Sequence, residues 1–218
     1  MQAKAANSWG VRPGEHPRSF AALRPHAACE DRPLTMRITG GQLGSRRLEA
    51  PKGTATRPTS DRVREALFNI LCDECSGARV VDLYAGTGAL GLEAISRGAV
   101  FAVFVERSKD ALAALNANVR ALGVAPKTRI VALPVERVAR TLGGERFDLV
   151  FADPPYVDVK SGEATRAIAT FVPLLAPSGR LIVEHAQRDP SPTIAGVTLE
   201  RARTYGDTTL SFYSSAGT

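Results

Sequence analysis

The chain has 218 residues, 44% of them hydrophobic and 23% charged, with a net charge of +6. That is long enough to bury a full core and reads as soluble and globular. No apolar run approaches the roughly 18 residues of a membrane span, and the N-terminal stretch lacks the apolar core of a secretory leader.

Residues 1–35 carry Pro13, Pro17, Pro25 and Pro33 without any periodicity and are expected to form a disordered tail. From Met36 the texture changes. Arg37-Ile38-Thr39, Gly40-Gly41 and Arg46-Arg47-Leu48-Glu49 read as a small hairpin ended by Pro51. Arg57-Pro58-Thr59-Ser60-Asp61 carries helix-start signals, and Val63, Leu67, Ile70 and Leu71 then recur at helical spacing, with Arg62 and Arg64 expected off the buried face. The hairpin and helix, residues 36–75, are read as a basic extension in front of a domain over 76–218. Residues 36–64 hold Arg37, Arg46, Arg47, Lys52, Arg57, Arg62 and Arg64 against only Glu49 and Asp61, so most of the positive excess sits in one short segment. A local basic module suits a polyanion docked at one place. Cys72 and Cys75 form a lone C-x-x-C with no further ligands at matching spacing; no metal site is expected, and three cysteines point to a reducing, cytoplasmic setting.

The remainder alternates strand and helix. Strands are expected at Val80–Leu83, Val100–Val105, Arg129–Ala132, Phe147–Ala152 and Arg180–Glu184. Helices are expected at Leu90–Ser96, Lys109–Leu122, near Val135–Leu142 and over Ala164–Leu175. Val197–Tyr205 and Thr208–Tyr213, joined by Gly206-Asp207, read as a closing hairpin. The alternation implies an α/β fold with a doubly wound, mostly parallel seven-stranded sheet, to which the last hairpin adds an antiparallel member.

Two motifs carry chemistry. Asp82-Leu83-Tyr84-Ala85-Gly86-Thr87-Gly88 follows the first strand and opens a helix, where glycines let a ligand approach the backbone and the helix start offers free N–H groups. Asp82 would be unwelcome beside a pyrophosphate but is favourable beside the sulfonium and ammonium of S-adenosylmethionine. Glu106 ends the second strand, where an acid accepts hydrogen bonds from ribose hydroxyls. The second motif is Asp153-Pro154-Pro155-Tyr156, after the fourth strand. Its prolines stiffen the backbone and leave carbonyls that no ladder claims, so a flat base carrying an amino group can stack on the ring and donate to the carboxylate and a carbonyl.

The glycine loop, Glu106 and Asp-Pro-Pro-Tyr, in that order, resemble the class I S-adenosylmethionine-dependent methyltransferases that modify exocyclic amines, with their Rossmann-like sheet. Met36-Arg37-Ile38-Thr39-Gly40-Gly41, the run from Arg57 to Asn69 and Val183-Glu184-His185 narrow the resemblance to the bacterial 16S ribosomal RNA guanine-N2 methyltransferases of the RsmD type. The resemblance implies that Asp82, Tyr84, Ala85, Gly86, Gly88 and Glu106 hold the cofactor. It implies catalysis by Asp153, Pro154 and Tyr156, and an RNA-binding basic segment that engages 16S RNA or the assembling 30S subunit. A monomer without metal is expected. Pro134 stands where the family usually has an Asp that receives the adenine amino group, so adenine must be held by carbonyls, a neighbouring side chain or stacking. A DNA amino-methyltransferase, a cytosine-C5 enzyme and a non-catalytic nucleic-acid-binding module remain as alternatives from the residues alone.

Overall fold

A computed structural model of the chain describes residues 36–51, 61–155, 158–159 and 161–215. The expectation of a disordered tail at 1–35, and the placements of Lys52, Arg57 and Tyr156, lie outside these residues. The described strands are β1 (Arg79–Leu83), β2 (Phe101–Val105), β3 (Thr128–Val131), β4 (Phe147–Ala152), β5 (Leu175–Ala186), β6 (Val197–Tyr205) and β7 (Thr208–Ser215). They form one seven-stranded sheet in the order β3-β2-β1-β4-β5-β7-β6. All neighbours from β3 to β5 pair parallel; β7 runs antiparallel to both β5 and β6. The helices are α1 (Asp61–Leu71), α2 (Ala89–Ser96), α3 (Lys109–Leu122), α4 (Val135–Val138) and α5 (Glu163–Ala169).

Because side chains alternate across a strand, each strand feeds two cores. Val80, Ala102, Phe104, Leu149, Phe151, Ile182 and Phe212 pack with Leu67, Phe68, Leu92, Leu115 and Val119 on one face. Val81, Leu83, Val103, Val150, Leu181 and Val183 pack with Val135, Val138, Ala167, Ile168 and Phe171 on the other. One expected helix is shorter than the apolar spacing suggests. It stops at Ala169, and Leu175 already belongs to β5. Pro173 explains the boundary, since its ring would strike the carbonyl four residues back, that of Ala169.

The basic segment is docked on the sheet layer by buried polar groups. Arg37 and Arg47 form an antiparallel bridge, flanked by Ile38 N–H to the Arg46 carbonyl (2.9 Å) and Leu48 N–H to the Met36 carbonyl (2.8 Å). Ile38 and Leu48 join the first core. Glu93, fully buried in α2, accepts from the N–H groups of Thr39 (2.7 Å) and Gly40 (2.8 Å) and from the Thr39 hydroxyl (2.8 Å). It also pairs with Arg97 at 2.9 Å and Arg64 at 3.5 Å. Arg64 therefore departs from expectation. It is 0% exposed, donating to Asp61 and the Arg37 carbonyl, so it holds the hairpin and is not open to solvent. A charged side chain inside a helix's apolar stripe is tolerated when it is paired and hydrogen-bonded. Asn118 of α3 completes the docking. Its carboxamide accepts from Glu49 N–H (2.7 Å) and donates to the carbonyls of Glu49 (3.1 Å) and Thr87 (3.0 Å).

Removing Glu93 would take one buried ion-pair partner from Arg64 and Arg97 and leave the Thr39 and Gly40 N–H groups without their acceptor. Glu93→Ala is expected to cost on the order of 3–5 kcal/mol in urea unfolding, and Glu93→Gln less, because the amide oxygen still accepts. A loss below about 1 kcal/mol for the alanine variant would show that the hairpin is held by other groups.

Candidate active site

Parallel pairing places the last residues of β2, β1 and β4 level with one another and with Val183 inside β5. Val105, Leu83, Ala152 and Val183 are register partners across β2, β1, β4 and β5. The residue after each (Glu106, Tyr84, Asp153 and Glu184) lines a single cavity of about 610 Å³. Sites of open α/β sheets lie at this carboxyl edge.

The glycine loop forms one wall. Tyr84 takes a left-handed backbone, φ +63°, a costly conformation for a bulky residue and a common one where the chain turns sharply at a functional site. Burial pushes its phenol up to about 12, so the hydroxyl stays protonated. Glu106 clasps the loop: its carboxylate accepts from Gly86 N–H at 2.8 Å and from the N–H groups of Arg107 and Ser108 at 2.7 Å each. Gly88 is required twice over, by φ +82° and because a Cβ there would meet Leu115 Cδ1 at 2.4 Å. Behind the loop Asp82 is 1% exposed and accepts from Gly91 N–H at 2.9 Å. Desolvation raises its carboxyl to about 7; the Gly91 hydrogen bond opposes this, and the charges of Asp153 and Glu106 add to it.

The opposite wall is Asp153-Pro154-Pro155 with Asp158 and α5 residues. The Pro155 carbonyl accepts from Asp158 N–H at 2.9 Å, and among the described residues no N–H donates to the Pro154 carbonyl. The third side, after β3, is Leu133, Pro134, Val135 and Glu136. The Pro134 carbonyl is taken by Arg137 N–H at 3.0 Å. Met36 and Pro51 of the hairpin segment also line the cavity, and the Thr87 hydroxyl donates to the Met36 sulfur at 3.3 Å.

Of the expected cofactor residues, Tyr84, Ala85, Gly86 and Glu106 line the cavity. Asp82 and Gly88 lie behind it and shape the loop. Asp153 and Pro154 line the same space. Among the basic residues, Arg37, Arg46, Arg47 and Arg62 are exposed, whereas Arg64 is not. The cavity contributions of Met36 and Pro51 carry no local signal. Glu184 could have been found by counting one residue past the last apolar position of each strand.

Residues 36–214 match the model of the family described as conserved hypothetical protein 95. The chain belongs to this family. A Bacillus subtilis protein named "Putative rRNA methyltransferase YlbH" is 32% identical over 188 residues, covering 84% of this chain and 100% of that one. The ribosomal RNA small subunit methyltransferase D of Escherichia coli K12 is 38% identical over 121 residues, 56% of this chain and 60% of the relative. The solved structure of the "Putative methyltransferase yhhF" from Escherichia coli, 33% identical, superimposes with a TM-score of 0.71 over 84% of this chain and 99% of that one. The sheet is thus the Rossmann-like one of class I methyltransferases. No described helix is long and apolar enough to cross a membrane, and no group of metal-binding side chains occurs among the described residues.

Asp82 sets a pH test. Its carboxyl titrates near 3.8 when unshifted and near 7 in the fold. Between these values the folded protein keeps a proton that the unfolded chain has lost, so this contribution to stability falls as pH rises through the window and is level above it. The unfolding free energy of the wild type should therefore drop relative to Asp82→Asn between about pH 4 and 7. A constant difference would show that Asp82 is not protonated in the fold.

Proposed function

We propose that this protein transfers the methyl group of S-adenosylmethionine to the exocyclic N2 amine of a guanine in small-subunit ribosomal RNA. The observation that carries the reading is the continuity of one cavity from Glu106 and the glycine loop to Asp153 and Pro154, and similarity to relatives named as rRNA methyltransferases supports it.

The lining fits a cationic cofactor. Among the described residues, Glu106, Glu136, Asp153, Asp158, Glu163 and Glu184 line the cavity, and Arg107 is the one basic lining group. S-adenosylmethionine supplies an electrophilic methyl group on a sulfonium. Glu106 would hold the ribose: three of its roughly four acceptor positions are used, leaving room for a hydroxyl. Leu133, Pro134 and Val135 offer an apolar wall for adenine, and Glu136 is the carboxylate that stands in this stretch in place of the family's usual Asp.

On the substrate side, the target amine would donate to the Asp153 carboxylate and the Pro154 carbonyl. Two acceptors draw the nitrogen towards a pyramidal geometry and aim its lone pair at the methyl, a contribution of positioning and electrostatics. Asp153 then takes the proton that the nitrogen must lose. Tyr156 is read as the stacking platform for a base splayed from an RNA loop. Arg37, Arg46, Arg47 and Arg62, exposed on the hairpin and α1, are read as phosphate contacts.

Labelled methyl transfer to naked 16S RNA, assembled 30S particles and duplex DNA, followed by nucleoside analysis, tests the reading. N2-methylguanosine from RNA is expected; label in DNA or on another base would overturn it. Asp153→Ala should lower kcat by about 10²–10³ with cofactor affinity retained. Wild-type turnover by that variant would move the catalytic centre elsewhere. Replacing Arg46 and Arg47 by Ala should flatten the salt dependence of RNA binding by about 0.7 log units per lost contact on a single strand. An unchanged slope would remove the hairpin from the RNA surface.

A further inference from the structure

Arginines are used differently at the two edges of the sheet. At the amino edge Arg79 and Arg129 share Glu145 at 2.7 and 2.6 Å, Arg146 donates to the Pro173 carbonyl, and Arg180 pairs with Glu74 at 2.9 Å. Towards the carboxyl edge stand Arg137 of α4, Arg140 in the 3-10 turn that follows it, and Arg166 of α5. All three are exposed, and none has an ion pair or a side-chain hydrogen bond among the described residues. α4 follows β3 and α5 follows β4, so both helices start at the edge that holds the cavity. Helical side chains tilt towards the start of their helix, which aims these guanidiniums at the cavity rim. Arg166 bears this out: its Nη1 lies 3.3 Å from where a Cβ on Gly162, the residue before α5, would sit.

The hairpin and α1 pack on the first core, α4 and α5 on the second, and residues of the hairpin segment, α4 and α5 line the cavity. Arg46, Arg47 and Arg62 therefore stand on one flank of the cavity mouth, and Arg137, Arg140 and Arg166 on the other. A base that swings out of an RNA strand leaves phosphates on both sides of its sugar, and a basic surface on one flank reaches only one of them. Resting on the RNA methylation reading above, we propose that Arg137, Arg140 and Arg166 form a second phosphate-binding rim, so that the RNA strand straddles the cavity between the hairpin and α1 on one flank and α4 and α5 on the other. Glu136 and Glu163 of the same two helices line the cavity itself. The sign of the surface thus changes within a few residues, holding phosphates at the mouth and keeping them out of the cavity.

The test titrates binding of the substrate that the wild type methylates, naked 16S RNA or 30S particles, across a KCl series. Replacing all three arginines by Gln should flatten the dependence of log Kd on log salt by about 0.7 per lost contact on a single strand, roughly 2 in all. The melting temperature and the affinity for S-adenosylhomocysteine should not change. Lys at the same three positions keeps the point charge and should keep most of the slope. Arg120→Gln is the control for net charge: Arg120 is exposed in the last turn of α3, at the amino edge, and its loss should leave the slope as it is. An unchanged slope in the Gln variant, an equal loss per charge in Arg120→Gln, or a Lys variant as impaired as the Gln one would overturn the second rim. If the wild type forms no N2-methylguanosine on either substrate, the functional reading itself has failed; an active wild type beside an unchanged Gln variant sinks the rim alone.

Discussion

The in-register parallel pairing of β2, β1, β4 and β5 is the constraint on which the site depends. A slip of one residue in any of these ladders would turn that strand's core-facing side chains to the other layer and withdraw its terminal residue from the cavity. Both faces of the sheet are covered by apolar helices, so each register is held from two sides. The strands thus deliver Glu106, Tyr84, Asp153 and Glu184 to the same level. The distances between neighbouring groups are set by the spacing of the sheet itself.

Assembling so many carboxylates in one place has an electrostatic consequence. Asp82, buried behind the loop, holds its proton towards neutrality, while Glu106 at the cavity accepts from three backbone N–H groups. The acidic lining then acts as a field that favours positive charge and disfavours a free phosphate. Basic side chains of the hairpin sit outside it. Cavity and approach surface therefore carry opposite signs, a division suited to a cationic small molecule bound within and a polyanion held without.

Much of this was legible in the residues. The strand–loop–helix at Asp82 to Ser96, Glu106 at the end of a strand and the two prolines after β4 all combine a local breaker with a local apolar run, which is the kind of signal a sequence carries openly. Arg64 was not legible. Its burial depends on Glu93 and on the Arg37 carbonyl, partners that only tertiary packing brings near. Ala169 ends its helix because of a proline four positions on, a cue that the apolar periodicity across Phe171 and Leu174 concealed. Asp82 lies apart from the other expected cofactor residues: its side chain accepts from Gly91 N–H beneath the loop and is not among the cavity-lining groups. Strand alternation alone cannot say whether a terminal carboxylate faces the ligand or the helix start.

The docking of the hairpin has a bearing on how this architecture could be varied. Met36 and Pro51 form part of the cavity wall, and Glu93, Ser96 and Asn118 are the sockets into which the segment fits. The basic segment is consequently not a portable attachment. Moved to another core without those three side chains it would lose its seat, and a core deprived of it would be left with a breached cavity as well as a missing surface. Exchange of specificity between relatives would have to swap the sockets on α2 and α3 together with the hairpin, as one inheritable unit.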